Sequence, residues 1–208
     1  CAAARSGAVT MGSVGAGTGA VAGGLQGGVG TASITLESGI LVGALAVVNS
    51  AGQVIAPDTG LPRFHEGIRL RRPPATQRQA LIEAIRLPPT PLNTTIGVVA
   101  TSAELTKAEC RKMATVAHDG LARAIRPVHS LFDGDTIFCL STAERAIAAD
   151  EQPGLRRPNT RAGVVNTLLA AAADCFALAC TRAVIEARAT GGPASYVDLC
   201  PGAFPRGV

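Results

Sequence analysis

Leu87-Pro88-Pro89-Thr90-Pro91-Leu92-Asn93-Thr94-Thr95-Ile96-Gly97-Val98-Val99-Ala100 joins a proline-stiffened approach to a continuous apolar run. Proline fixes φ and resists helix, so the approach reads as an extended connection. The run Ile96–Ala100, short and rich in Val and Ile, reads as a buried strand. Asn93, Thr94 and Thr95 therefore stand at a strand entrance, where the strand fixes the position of a hydroxyl. Cutting the Asn93–Thr94 bond would make Thr94 a new N-terminus that carries both a nucleophile and its own base.

Other strand ends carry candidate partners for that hydroxyl. Upstream, Thr31–Leu36 reads as one strand, and Ile40–Val48 reads as a second, buried on both faces and ending at Asn49. An amide at that position can donate hydrogen bonds into a site, or it can simply form the turn before Gly52. Downstream, Thr106-Lys107-Ala108-Glu109 has the form of a capping box. Cys110, Met113, Ala114, Ala117, Leu121 and Ala124 follow at helical spacing. Asp133-Gly134-Asp135 then precedes the apolar strand Thr136–Ser141. Two carboxylates straddling a glycine at a strand entrance suit either a site or an Asp-Gly-Asp turn. Asn159 or Thr160 is placed to cap a last long helix over Gly163–Arg188, after which the tail to Val208 reads as irregular. Gln77–Arg86 reads as a short surface helix. The order strand, strand, connection, strand, helix, strand, helix predicts a sheet covered by helices.

The glycine-rich block from Gly12 to Gly30 contains Gly15-Ala16-Gly17-Thr18-Gly19-Ala20, a match to the dinucleotide fingerprint, with Glu37 at the distance of a ribose-binding acid. That reading requires a helix to begin within the fingerprint, so that its N-terminus meets a pyrophosphate. Gly23, Gly24, Gly27 and Gly28 follow, each costing up to about 1 kcal/mol relative to Ala in a helix. Close backbone approach and a glycine-lined pocket are expected instead.

Composition excludes several classes. Aromatic residues make up only 3% and Trp is absent, so no stacking platform for nucleic acid is expected. A net charge of +4 is mild, and Arg69, Arg71 and Arg72 read as a solvated basic loop. The apolar run Gly39–Asn49 falls short of the roughly 20 residues needed to cross a bilayer, so no membrane span is expected. Six cysteines occur, none in a C-x-x-C pair or at zinc spacing; buried reduced thiols and a cytoplasmic location are expected. His65 reads as a solvated residue of a charged loop, and His118 and His129 read as structural, since neither has an acid and a nucleophile at helical spacing. The chain opens at Cys1, without Met, in what reads as the last turn of a helix over Cys1–Arg5, and an N-terminal portion missing from this chain is expected.

Four stretches together resemble one family: Gly15–Ala20 with Gly27–Ser33, Val42–Asn49, Asn93–Thr101, and Phe132–Phe138. They resemble the DmpA-type aminopeptidases, the L-aminopeptidase/D-amino-acid esterases that include β-peptidyl aminopeptidases. The resemblance implies a four-layer αββα sandwich shared with ornithine acetyltransferases. It implies self-cleavage after Asn93 into an α chain, ending at residue 93, and a β chain, 94–208. It also implies release of N-terminal amino acids from peptides, amides or esters through an acyl-Thr94 intermediate. On this basis Thr94 is the nucleophile and base, where many relatives have Ser, and Asn49 is the oxyanion donor. Asp135 is the acid, and Asp133 stands where relatives have Ser. No metal or organic cofactor is expected. The expected partners are a small peptide or amino-acid amide or ester, the chain's own α and β fragments, and further copies in a homo-oligomer. An acyltransferase of the ornithine acetyltransferase type is the alternative on the same fold, with a dinucleotide-binding domain behind it.

Overall fold

A computed structural model describes residues 7–86, 93–147 and 160–205. The helical turn expected over Cys1–Arg5 and the approach Leu87–Leu92 lie outside the described residues. The elements run β1 (Val21–Ala22), β2 (Leu25–Gln26), β3 (Gly28–Thr35), β4 (Leu41–Asn49), α1 (Ala75–Ala84), β5 (Thr94–Ala103), α2 (Lys107–Ala124), β6 (Thr136–Arg145), α3 (Arg161–Ile185) and α4 (Tyr196–Leu199). The predicted order of strands and helices is the one observed from β3 to α3, with the short pair β1–β2 before it and α4 after it as additions.

Strands β3, β4, β5 and β6 form one sheet in that spatial order, antiparallel except for the parallel β5–β6 pair. A parallel pair needs a crossover, and α2 supplies it between β5 and β6. Helices α2 and α3 pack together and against one face of the sheet. Along β5 the two faces alternate: Thr95, Gly97, Val99 and Thr101 are buried under the helices, whereas Thr94, Ile96 and Val98 face the other way. The described residues thus provide one sheet and one helical layer of the expected sandwich. They leave Ile96, Phe138 and Leu140 exposed on the opposite face. The expectation that β4 is buried on both faces is corrected accordingly: after exposed Leu41 it alternates between buried and half-buried residues, because helices cover one side of it only.

Helix α3 is apolar nearly all round, as befits a helix enclosed by other elements. Its length and mean hydropathy of 1.8 would suit a membrane, yet 78% of its most apolar stretch is buried inside the fold. Thr160 caps it, its hydroxyl accepting from Gly163 N at 3.1 Å. The capping box of α2 is complete: Glu109 N donates to Thr106 Oγ1, and Thr106 N donates to Glu109 Oε2. The Arg161 guanidinium bonded to Glu109 holds that carboxyl down at about 2. Helix α1 starts two residues earlier than expected, directly after Pro73-Pro74, since proline at the N-terminus costs no helical hydrogen bond. The tail is more ordered than expected. Ser195 caps α4, and Tyr196 is fully buried with its hydroxyl donating to Gly60 O at 2.6 Å.

Missing side chains let α3 lie close to the sheet. A Cβ on Gly30 would fall 2.0 Å from Ala179 O, and one on Gly97 would fall 2.2 Å from the Phe176 ring. Strand β3 therefore starts inside the glycine block, at Gly28, rather than at Thr31. Of the cysteines described, Cys175, Cys180 and Cys200 are buried free thiols, and burial raises Cys175 and Cys200 to about 11. Gly97→Ala is expected to lower stability by about 2–3 kcal/mol, because the fully buried Phe176 ring would have to shift to admit the Cβ. Urea unfolding at neutral pH measures the loss, and an unchanged midpoint would show that the ring adjusts.

Candidate active site

The antiparallel register of β4 with β5 sets Asn49 directly opposite Thr94. Both residues line an open cleft of about 470 Å³ with Ala16, Gly19, Ala20, Val47 and Ile96. Alternation along β5 sends Thr94 toward this cleft and Thr95 into the core, where Thr95 is fully buried. The Thr95 hydroxyl has no hydrogen-bond partner among the described residues.

Two groups converge on the carbonyl of Asn93. Thr94 Oγ1 donates to it at 2.5 Å, and Gly134 N donates to it at 3.1 Å. The second contact belongs to a parallel bridge between Asn93 and Asp133, which extends the β5–β6 pairing beyond the strand itself. The hydroxyl of Thr94 thus lies against the peptide bond that joins it to Asn93.

Val21 N donates to Asn49 Oδ1 at 2.9 Å. With the amide oxygen used as an acceptor, Nδ2 supplies the donors of this side chain. The glycine-rich block closes the near side of the cleft. Gly15–Gly17 is a single 3-10 turn, and no helix begins there, so the fingerprint lacks the helix N-terminus that a pyrophosphate needs. Close approach explains these glycines instead: a Cβ on Gly17 would fall 2.7 Å from the backbone of Gly28.

Asp133 and Asp135 are both bonded to backbone that frames the cleft. Ala51 N donates to Asp133 Oδ1 at 3.0 Å, and Ser130 Oγ donates to Asp133 Oδ2 at 2.5 Å. Thr95 N donates to Asp135 Oδ1 at 2.9 Å, and His129 Nδ1 meets Asp135 Oδ2 at 2.8 Å. The Asp135 side chain is 5% exposed, and the imidazole is one of its hydrogen-bond partners. His129 adopts the left-handed region at φ 53°, a conformation that non-glycine residues enter only when neighbours hold them there. Its ring lies 4.9 Å from that of His118. Burial, and then His129, hold His118 below the usual imidazole range, while Asp135 and Asp119 act in the opposite sense.

The structure thus brings the sequence-predicted residues Thr94, Asn49, Asn93, Asp133 and Asp135 to one end of the sheet. Sequence spacing missed His129 and Ser130. Both lie on the loop before β6, so no helical or strand period connects them to the acids they touch.

The profile of Peptidase family S58 matches residues 1–197, and the chain belongs to that family. It is 49% identical over 203 residues to an uncharacterized aminopeptidase of Mycobacterium tuberculosis, a match covering 94% of this chain and 58% of that protein. Its fold resembles a β-aminopeptidase of Burkholderia sp. with TM-score 0.59 and 25% identity, over 99% of this chain and 57% of the other. It also resembles the L-aminopeptidase D-Ala-esterase/amidase of Ochrobactrum anthropi, described as a variant of the Ntn hydrolase fold. There the TM-score is 0.59 and the identity 27%, over 88% of this chain and 47% of that one. The chain therefore spans little more than half the length of the curated relatives it matches.

His129→Ala is expected to destabilise the fold by about 1–3 kcal/mol, since it removes a bond to a buried carboxylate. It should also speed exchange of the Thr95 amide, which that carboxylate holds. Exchange at the parent rate, followed by NMR, would show that the imidazole does not anchor Asp135.

Proposed function

We propose that the protein is a self-processing N-terminal-nucleophile hydrolase. It would release N-terminal amino acids from small peptides, amides or esters through an acyl-Thr94 intermediate. One observation carries this reading: Thr94 Oγ1 lies against the carbonyl of the bond before it, in a cleft that Asn49 shares. Family membership and the aminopeptidase names of the similar proteins support the same class.

In the first step Thr94 Oγ bonds to the Asn93 carbonyl carbon, and the hydroxyl proton ends on the Thr94 nitrogen as the C–N bond breaks. The product is an ester between Asn93 and Thr94 Oγ. Water hydrolyses it to an Asn93 carboxylate and a free Thr94 N-terminus, which divides the chain into 1–93 and 94–208. The new α-amino group has a reference pKa of about 7.7–8.0, suited to accepting the Oγ proton near neutral pH. Turnover then repeats the chemistry on a substrate carbonyl, with Asn49 Nδ2 donating to the oxyanion. Loss of one such donor typically costs about 10²–10³ in rate. Asp135 holds the backbone next to the nucleophile through Thr95 N, and Asp133 holds the backbone just beyond Asn49 and the end of β4 through Ala51 N. The Thr94 hydroxyl is the nucleophile and its own α-amino group the base, and the proposal assigns no cofactor.

Thr94→Ala should abolish hydrolysis of amino-acyl anilides measured without an acceptor amine. Thr95→Val should retain it and should be as stable as the parent or slightly more so, because it removes a buried unpaired hydroxyl. The opposite pattern would assign the nucleophile to Thr95. Activity that appears only when an acceptor amine is added would assign the protein to the acyltransferases.

A further inference from the structure

We propose that the backbone N–H of Gly134 is the oxyanion donor of the self-cleavage step, and that residue 134 is glycine to leave room for the Thr94 hydroxyl. This inference rests on the self-processing reading above and names a group that the reading leaves unassigned.

The geometry is that of a preorganised donor. Gly134 N reaches Asn93 O at 3.1 Å, and this carbonyl is the one Thr94 Oγ1 contacts at 2.5 Å. Nucleophile and donor therefore meet on one carbonyl. As Oγ bonds to the carbonyl carbon, the C=O π pair moves onto oxygen, and negative charge develops where the Gly134 N–H already points. When the C–N bond breaks, that pair returns to re-form the carbonyl of the ester, and the hydroxyl proton passes to the departing Thr94 nitrogen. A donor fixed before the reaction stabilises this charge without reorganising.

Several contacts fix the donor. The Asn93–Asp133 bridge sets the backbone direction, and Asp133 N donates to Ser130 O at 3.0 Å. Both carboxylate oxygens of Asp133 accept hydrogen bonds, from Ala51 N and from Ser130 Oγ, which tie the loop to the end of β4 and to its own preceding turn. Asp135 on the other side is held through Thr95 N and His129. Gly134 thus lies between two anchored acids. A Cβ at this position would fall 3.0 Å from Thr94 Oγ1, tighter than ordinary contact. Space at the nucleophile is the requirement, and any side chain here would press on the attacking oxygen.

The test is the time course of cleavage after Asn93 in freshly synthesised full-length protein, followed by denaturing mass spectrometry. Incorporating glycolic acid for Gly134 by nonsense suppression replaces that N–H with an ester oxygen and changes little else. Cleavage is expected to slow by about 10²–10³, the range for loss of one oxyanion donor. Gly134→Ala keeps the N–H but crowds the hydroxyl, and it is expected to slow cleavage at least about tenfold with the fold intact by circular dichroism. Parent-rate cleavage in the ester variant overturns the assignment, and if Asn49→Ala is then blocked, the oxyanion belongs to Asn49. Parent-rate cleavage in folded Gly134→Ala overturns the steric requirement. Thr94→Ala separates the two levels: if it still breaks after Asn93, the self-processing reading itself fails, whatever Gly134 does.

Discussion

The register between β4 and β5 is the constraint on which the site depends. Eight consecutive antiparallel pairs, from Val42 with Thr101 to Asn49 with Thr94, fix which residue ends opposite which. A slip of one residue would turn Thr95 to the cleft and bury Thr94, because side chains alternate with a period of two. The register is held by what lies beneath it. Val42, Ala44, Ala46, Val48, Thr95 and Val99 are buried against α2 and α3, so a slip would expose an apolar face and bury the other.

That burial in turn depends on small residues. Gly28 and Gly30 in β3, and Gly97 in β5, let α3 approach where any Cβ would collide with helix backbone or with Phe176. Core packing and the candidate site are adjacent here. Gly97 lies three residues beyond Thr94 on the same strand, and the face it shares with Thr95 carries the packing. The alternate face carries Thr94 and opens to the cleft. The outer face keeps large apolar residues such as Ile96 and Phe138 exposed, in line with a fold in which the described residues supply one sheet and one helical layer.

Much of this was legible in the sequence because it rests on local rules. Alternation and apolar runs located β4, β5 and β6, the Thr106–Glu109 box located the start of α2, and the density of glycine argued against a nucleotide-binding helix at Gly15–Ala20. What stayed hidden depends on contacts across the chain. His129 reads as an isolated histidine until the fold brings it to Asp135, six residues on but across a turn. The half-burial of one face of β4 depends on which layers cover it, and a hydropathy pattern is silent on that. Tyr196 was placed in an irregular tail because its anchor, Gly60, lies far away in sequence. The roles of Asp133 and Asp135 are also sharper than the sequence allowed. Their oxygens bind backbone N–H groups of Ala51 and Thr95, and this ties three strand ends into one frame around Asn93 and Thr94.

The central claim is that Thr94 becomes an N-terminus. Intact-mass measurement of denatured, freshly purified, catalytically active protein tests it most directly. The account predicts two polypeptides, one ending at Asn93 and one beginning at Thr94 with an unmodified amino group. A single uncut chain in a sample that turns over substrate would contradict it.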